Sequence, residues 1–460
     1  MKRNLFGYLF VIALFLVLIS DKFLTEGMFM DGLYYATISR NLSEGLGTFW
    51  QPQFTLTNNV EFYGHPPLAL GLESLFFHFG KSLFVAKLYS LFTYLIVALM
   101  MFYIWKEIGG ERQYFPFVLF LYITIPIVSW GSVNNLLENT MAVFVVSSVL
   151  FYLMSLHDKR FVFLALSGFS LFLTVLTKGF TGLYPLAMPV VWSVFTRKIS
   201  LKRAVADTVV LVFSLLLPLA LLLMLNPKAY HYATTYYQLQ IVESLEHRQV
   251  VDSRFFIVWK FITQIIVPVA IVSLFYIVKL MKNRENCLNK VDWRTAVALM
   301  ALSLCGVLPM MLSLKQRDFY ILTVYPFAAL SLALVMQPVL LNWKMKPNFK
   351  LYFNVVSLFL ISLAVTFNSF NYKQIKRDKD IITDLQKILP EIPEHSIISV
   401  SEKMQREYST IAYCYFYRHV SFTDKEVHDY YLCHKGDLPE AGRFDDSKLE
   451  LKKFSFFKKR

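Results

Sequence analysis

An all-α polytopic membrane protein, with about eleven transmembrane helices and a small extracytoplasmic α/β domain at its C-terminus, is the fold class that three observations predict. Of the 460 residues 56% are hydrophobic and only 17% charged, apolar runs of bilayer-spanning length, roughly 17–25 residues, recur over most of the chain, and the last ninety residues change character. A soluble domain of this length would not carry a mean hydropathy of +0.48. The formal charge of +14 does not indicate nucleic acid, because the basic residues mostly form short clusters between apolar runs, as the positive-inside rule requires.

The spans fall near 4–20, 82–105, 114–130, 137–155, 161–177, 180–195, 205–225, 255–280, 295–312, 320–337 and 351–370. The first follows Met1-Lys2-Arg3, and Ser20-Asp21-Lys22-Phe23-Leu24 behind it is no small-residue cleavage site. It is therefore read as a retained helix rather than a signal peptide. With the N-terminus inside, the cytoplasmic loops are Lys106–Gln113, His157–Arg160, Thr196–Arg203, Met281–Arg294 and Asn342–Lys350, most of them rich in Lys and Arg.

Three segments then lie outside: a first loop, about 21–81, a second loop, about 226–254, and the tail from Asn371. The domains expected are a transmembrane domain over 1–370 and an extracytoplasmic domain over 371–460. Loops of that length are usually functional. In the tail, apolar stretches such as Ile381–Leu389 and Ile397–Val400 among mixed charges suggest the α/β domain. The four cysteines, Cys287, Cys305, Cys414 and Cys433, show neither metal spacing nor a disulfide framework.

Several charges stand where this topology does not favour them. Asp31 precedes Leu33-Tyr34-Tyr35-Ala36-Thr37-Ile38, where Tyr35, Ile38 and Leu42 share one helical face. The pattern reads as an amphipathic helix along the outer interface, with Asp31 either its cap or a catalytic carboxylate. The loop continues into Gly64-His65-Pro66-Pro67-Leu68, where paired prolines impose extended backbone and hold His65 beside the membrane. There its charge would change near neutral pH.

Lys178, in Thr177-Lys178-Gly179, ends the fifth span on the outer side. It either snorkels or contacts a phosphate. Lys315 and Arg317, in Lys315-Gln316-Arg317-Asp318, turn on the same side, and Asp318 would neutralise one of them unless all three cations serve a lipid-linked phosphate. Glu138 opens the fourth span, where a carboxylate complements the helix dipole or binds an acceptor or sugar. Glu243, His247 and Arg248 belong to the second outer loop.

These motifs resemble the membrane glycosyltransferases of the GT-C fold that include bacterial aminoarabinose transferases acting on lipid A and the protein O-mannosyltransferases (glycosyltransferase family 39-like). The acidic residue before a Tyr-Ala helix is similar to Asp31–Leu42, and the Lys-Pro-Pro-Leu signature to His65-Pro66-Pro67-Leu68. The Thr-Lys-Gly element with its Gly-Leu pair is similar to Thr177–Leu183, and Tyr-Ile-Leu-x-x-Tyr-Pro-x-x-Ala-Leu to Tyr320–Leu330. The four recur in order over roughly the first 370 residues.

The resemblance implies an inverting transferase that takes a sugar from a polyprenyl-phosphate carrier, undecaprenyl in a bacterial inner membrane. The acceptor would be a hydroxyl of lipid A, a protein or a surface glycan, and the active site would face the periplasm. Asp31 would be the general base, Lys178 with Lys315 or Arg317 would hold the donor phosphate, and His65, Glu138, Tyr35, Tyr320 and His247 are the substrate-binding candidates. This chain has Gly64-His65 where the aminoarabinose enzymes have Glu-Lys before Pro-Pro. No cofactor is predicted, and the sequence leaves a divalent metal open. The rival readings are a transporter, set aside because the charges sit at one face and no halves repeat, a non-catalytic scaffold whose tail binds a partner, and a polymerase or ligase of the same lipid-linked sugars.

Overall fold

The structure, a computed structural model, describes residues 5–242, 249–283, 287–341, 347–439 and 443–460. Among these, eight helical segments are long and apolar enough to cross a membrane, and three shorter apolar helices accompany them. The helices are α1 (Leu5–Ile19), α2 (Met30–Ser43), α3 (Leu68–Phe77), α4 (Leu83–Glu107), α5 (Phe115–Ile123), α6 (Pro126–Gly131), α7 (Leu137–Met154), α8 (Arg160–Lys178), α9 (Met188–Thr196), α10 (Leu201–Leu225) and α11 (Pro227–Tyr236). Beyond them come Phe256–Asn283, Trp293–Val307, Tyr325–Leu341, Pro347–Asn371, Lys379–Ile388 and Tyr408–Arg418.

Two expected spans are not single helices. The 114–130 run breaks at Ile125, whose extended backbone precedes Pro126, because a residue before proline is pushed out of the helical region. The 180–195 run begins as two 3-10 turns, Gly179–Gly182 and Tyr184–Ala187, and becomes α-helical only at Met188. Conversely, the two outer loops contain helices that the sequence reading left out, α3 in the first and α11 in the second.

The chain divides into two compact units. The first comprises 1–20, 64–66 and 90–369, and the second 21–63, 67–89 and 370–460, so the first long loop clusters with the C-terminal tail. In the first unit α7 packs on α8 and α8 on α10, while Trp293–Val307 packs on Tyr325–Leu341. The Asp318–Leu341 segment is 83% enclosed, whereas Leu201–Leu225 and Lys350–Asn371 are only 11% enclosed. That contrast separates a central helix from helices that leave apolar surface for lipid.

Small residues set the α8–α10 approach. A Cβ on Gly168 would lie 2.6 Å from the Leu211 carbonyl oxygen and 2.5 Å from Ser214 Cβ, and a backbone oxygen cannot rotate away.

In the second unit, α2 is buried nearly all round, from Gly32–Leu33 through Tyr35–Asn41, which corrects the expected interfacial helix. Its polar residues are accommodated because each finds an internal partner. Ser39 Oγ donates to Glu73 at 2.8 Å, Asn41 donates to the Gln53 and Phe54 carbonyls at 2.9 Å, and Arg40 donates to the Phe416 carbonyl. Lys87 lies in the first turns of α4, yet it is buried because its Nζ donates to the carbonyls of Lys22 and Thr25 at 2.7 and 2.6 Å.

The tail forms the expected α/β layer around a five-stranded sheet of order β4-β3-β5-β7-β6. Its strands are β3 (Ile397–Val400), β4 (Ser421–Thr423), β5 (Tyr430–His434), β6 (Phe444–Asp446) and β7 (Phe454–Lys459), while β1 (Gly47–Thr48) and β2 (Gln51–Pro52) form a separate ribbon. β3 runs parallel to β4 and β5, and β7 antiparallel to β5 and β6. Asp384, fully buried on the Lys379–Ile388 helix, accepts the backbone N–H groups of Lys452, Lys453 and Phe454 at 2.7–3.1 Å. It fastens the helix to the start of β7.

Gly168→Ala is expected to destabilise the protein by about 1–3 kcal/mol, the usual penalty of overpacking, and to lower its melting temperature in detergent. Unchanged melting would show that α8 and α10 do not depend on this approach.

Candidate functional site

Within the first unit the chain gathers Glu138, Lys178, Tyr320, His65 and Lys315. Lys178 is the last residue of α8, and Gly179 stops the helix with φ +77° and ψ −141°, a conformation open essentially to glycine alone. A Cβ on Gly179 would also lie 2.5 Å from the Tyr236 hydroxyl, and one on Gly182 would lie 2.3 Å from Thr174 Cγ2. The chain therefore folds back tightly on α8, leaving Lys178 6% exposed.

Its ammonium forms an ion pair and hydrogen bond with the Glu138 carboxylate, which is 1% exposed in the first turn of α7. The start of α7 is held by Asn139, whose Nδ2 donates to the Gly131 carbonyl at 2.8 Å and to Ser90 Oγ at 2.7 Å. Lys178 Nζ also lies 4.5 Å from the Tyr320 ring centroid and 5.8 Å from that of Phe319, close enough for cation–π attraction.

The turn that carries Lys315 is fixed by Gln316, which is fully buried. Its Nε2 donates to the carbonyls of Ser313, Met310 and Arg254 at 2.8–3.1 Å, and its Oε1 accepts the Ile257 N–H at 2.9 Å. Lys315 Nζ donates to Gln240 Oε1 at 3.1 Å. Arg317, one residue past Gln316, is exposed and enters no ion pair among the described residues. The three expected cations therefore separate into an enclosed Lys178, a half-buried Lys315 and an outward Arg317. Asp318 accepts the Phe319 N–H at 3.0 Å.

The segment 227–242 supplies three residues that the sequence reading missed. Tyr232 donates to the His65 carbonyl at 2.5 Å, Tyr236 to the Lys178 carbonyl at 3.4 Å, and Gln240 accepts from Lys315. Their four-residue spacing was the available signal, since residues so spaced lie on one helix face. His65 is half-buried by surface area yet densely surrounded. Burial, then the positive charges of Lys178 and Lys315, push its imidazole well below the ordinary histidine value. It is therefore neutral near neutral pH, which corrects the expectation of a charge that changes there.

Asp31 belongs to the second unit. The N-cap of α2 is Phe29, with no side-chain capping bond, so Asp31 is not the cap; it lies in the first turn, half-buried, where its charge complements the helix dipole. Tyr35 is buried on the same helix, with its ring edge-on to that of Tyr34 at 6.3 Å. His247 lies outside the described residues, as do Glu243 and Arg248. Among the described residues no group of three or more His, Cys, Asp or Glu could hold a metal ion.

The neutral His65 has a consequence for stability. With its folded-state pKa depressed, the unfolded chain binds more protons below the ordinary value of 6.5, so the contribution of this residue is complete above that pH and is lost as pH falls below it. Wild type is expected to lose more thermal stability than His65→Gln between neutral and mildly acidic pH. Equal losses in melting scans across that window would show that His65 is protonated freely in the folded protein.

The chain matches no protein-family model and no curated protein. Among solved structures it is similar to ArnT from Cupriavidus metallidurans bound to undecaprenyl phosphate, with TM-score 0.67 and 14% identity over 99% of this chain and 98% of that one. The apo state of the same protein gives TM-score 0.67 over 97% and 96%. The archaeal oligosaccharyltransferase AglB from Archaeoglobus fulgidus, in complex with an inhibitory peptide and a dolichol-phosphate, gives TM-score 0.52 and 10% identity over 94% of this chain and 70% of that one. Over almost its whole length, then, the chain has the GT-C fold that ArnT and AglB share.

Proposed function

We propose that the chain is an inverting membrane glycosyltransferase that moves a sugar from a polyprenyl-phosphate carrier to a hydroxyl acceptor. The observation that carries this reading is the fold shared end to end with a protein crystallised with undecaprenyl phosphate. The enclosed lysine, backed by Tyr320 and with Lys315 in the same unit, supports it, since an ammonium in a dry site attracts a phosphate far more strongly than one in water.

In this reading residues 1–370 are the catalytic transmembrane domain and 371–460 an extracytoplasmic domain. The protein resides in a bacterial inner membrane, with the site toward the periplasm. The acceptor oxygen attacks the anomeric carbon as the bond from that carbon to the phosphate oxygen breaks. Asp31 takes the acceptor proton. The electron pair leaves with the phosphate, whose charge Lys178, Lys315 and Arg317 stabilise. Tyr35, His65, Glu138, Tyr320 and His247 contact substrate, and lipid A, a protein or a surface glycan serves as acceptor.

Mass spectrometry of the protein purified with native lipids is expected to reveal a co-purifying polyprenyl phosphate or its glycosylated form, depleted in Lys178→Ala. Well-folded wild type that carries none under lipid-retaining extraction would weigh against the carrier. Asp31→Asn is expected to retain carrier binding while turnover falls by roughly 100-fold or more, the scale of losing a general base. Full activity in that variant, measured with a labelled donor, would remove Asp31 from the chemistry.

A further inference from the structure

Lys178 is not an open cation. Its ammonium is held by Glu138, and the two side chains are 7% and 1% exposed. A buried pair of this kind is stable because each charge compensates the desolvation of the other, and removing one partner leaves the other uncompensated. A phosphate oxygen that reaches Lys178 meets an ammonium whose charge Glu138 already balances and one of whose three N–H donors Glu138 already engages. Tyr320 and Phe319 present ring faces to the same ammonium, and rings supply no hydrogen-bond acceptor to take the place of either oxyanion.

We infer that Glu138 is a place-holding counter-ion that keeps Lys178 aimed between turnovers and competes with the carrier phosphate for it. The inference rests on the carrier reading above and adds a positioning residue to it. Binding is an exchange of one oxyanion for another at the same ammonium, with no bond made or broken. Once a sugar has left, the carrier phosphate is a monoester and gains charge, approaching −2 near neutral pH as phosphomonoesters do. Its repulsion by the Glu138 carboxylate then rises, and the return of Glu138 to Lys178 favours release of the spent carrier.

The test is a titration of the purified full chain with undecaprenyl phosphate, for wild type, Glu138→Gln, Glu138→Asp, Lys178→Met and the double variant Glu138→Gln/Lys178→Met. Glu138→Gln removes the competing charge and is expected to tighten binding by about tenfold or more, a change of about 1.4 kcal/mol. Glu138→Asp, which keeps the charge on a shorter arm, should fall between it and wild type. In the Lys178→Met background the gain from Glu138→Gln should shrink to the direct repulsion alone, at least about threefold smaller than in wild type, since the coupling has lost its partner. A merely structural Glu138 would weaken binding when replaced. Unchanged or weaker binding in both Glu138 variants, or a gain that is undiminished without Lys178, would overturn the inference while leaving the carrier reading intact. If wild type and every variant, shown folded by their melting, bind no carrier, the carrier reading fails and this inference falls with it.

Discussion

A lysine enclosed among apolar helices can stay charged only if something beside it compensates its desolvation, which costs several kcal/mol per ion even after relaxation. Much of the first unit can be read as the solution to that constraint. Gly179 and Gly182 allow the chain to reverse directly behind Lys178, and Asn139 anchors the first turn of α7 so that Glu138 meets the ammonium. The buried amide of Gln316 then locks the neighbouring turn. The aromatic pair Phe319-Tyr320 supplies polarisable faces where water would otherwise be needed. Burial, and after it the same cations, hold His65 neutral, so a residue that could have added a third charge does not.

The second unit meets a related constraint with hydrogen bonds instead of one ion pair. α2 carries Thr37, Ser39, Arg40 and Asn41 into a buried setting, and it can do so because the Leu33 carbonyl of the same helix, the Glu73 carboxylate of α3, the Gln53 carbonyl beside β2 and the Phe416 carbonyl of the tail accept their protons. Lys87 shows the same logic in α4, where two carbonyls of the preceding loop take the place of a counter-ion. Buried polar networks of this sort hold a fold in one arrangement only when every member is satisfied. The Arg40–Phe416 bond ties the first long loop to the tail, which cluster together despite lying more than 280 residues apart in the chain.

The proposed transfer would suit a frame of this kind, because a leaving phosphate needs positive charge that is already in place before reaction. An ammonium fixed by helix packing and by a buried carboxylate is preorganised in that sense. Arg317, exposed one residue beyond the locked turn, is not.

Hydropathy and charge clustering were sufficient, from the sequence by itself, to determine the membrane fold class, most helices and the α/β tail, because burial in lipid acts on every residue of a span and leaves a long, redundant signal. The order of the Asp31, His65-Pro66-Pro67, Thr177-Lys178-Gly179 and Tyr320 motifs likewise singled out candidate residues. Only tertiary structure decided that Glu138 and Lys178 are partners, that Arg317 points outward, that Asp31 follows the cap rather than forming it, and that Tyr232, Tyr236 and Gln240 reach three separated segments. Those facts depend on pairs of residues between two and 167 positions apart, brought together by packing, and local pattern holds no record of which distant group a side chain will meet.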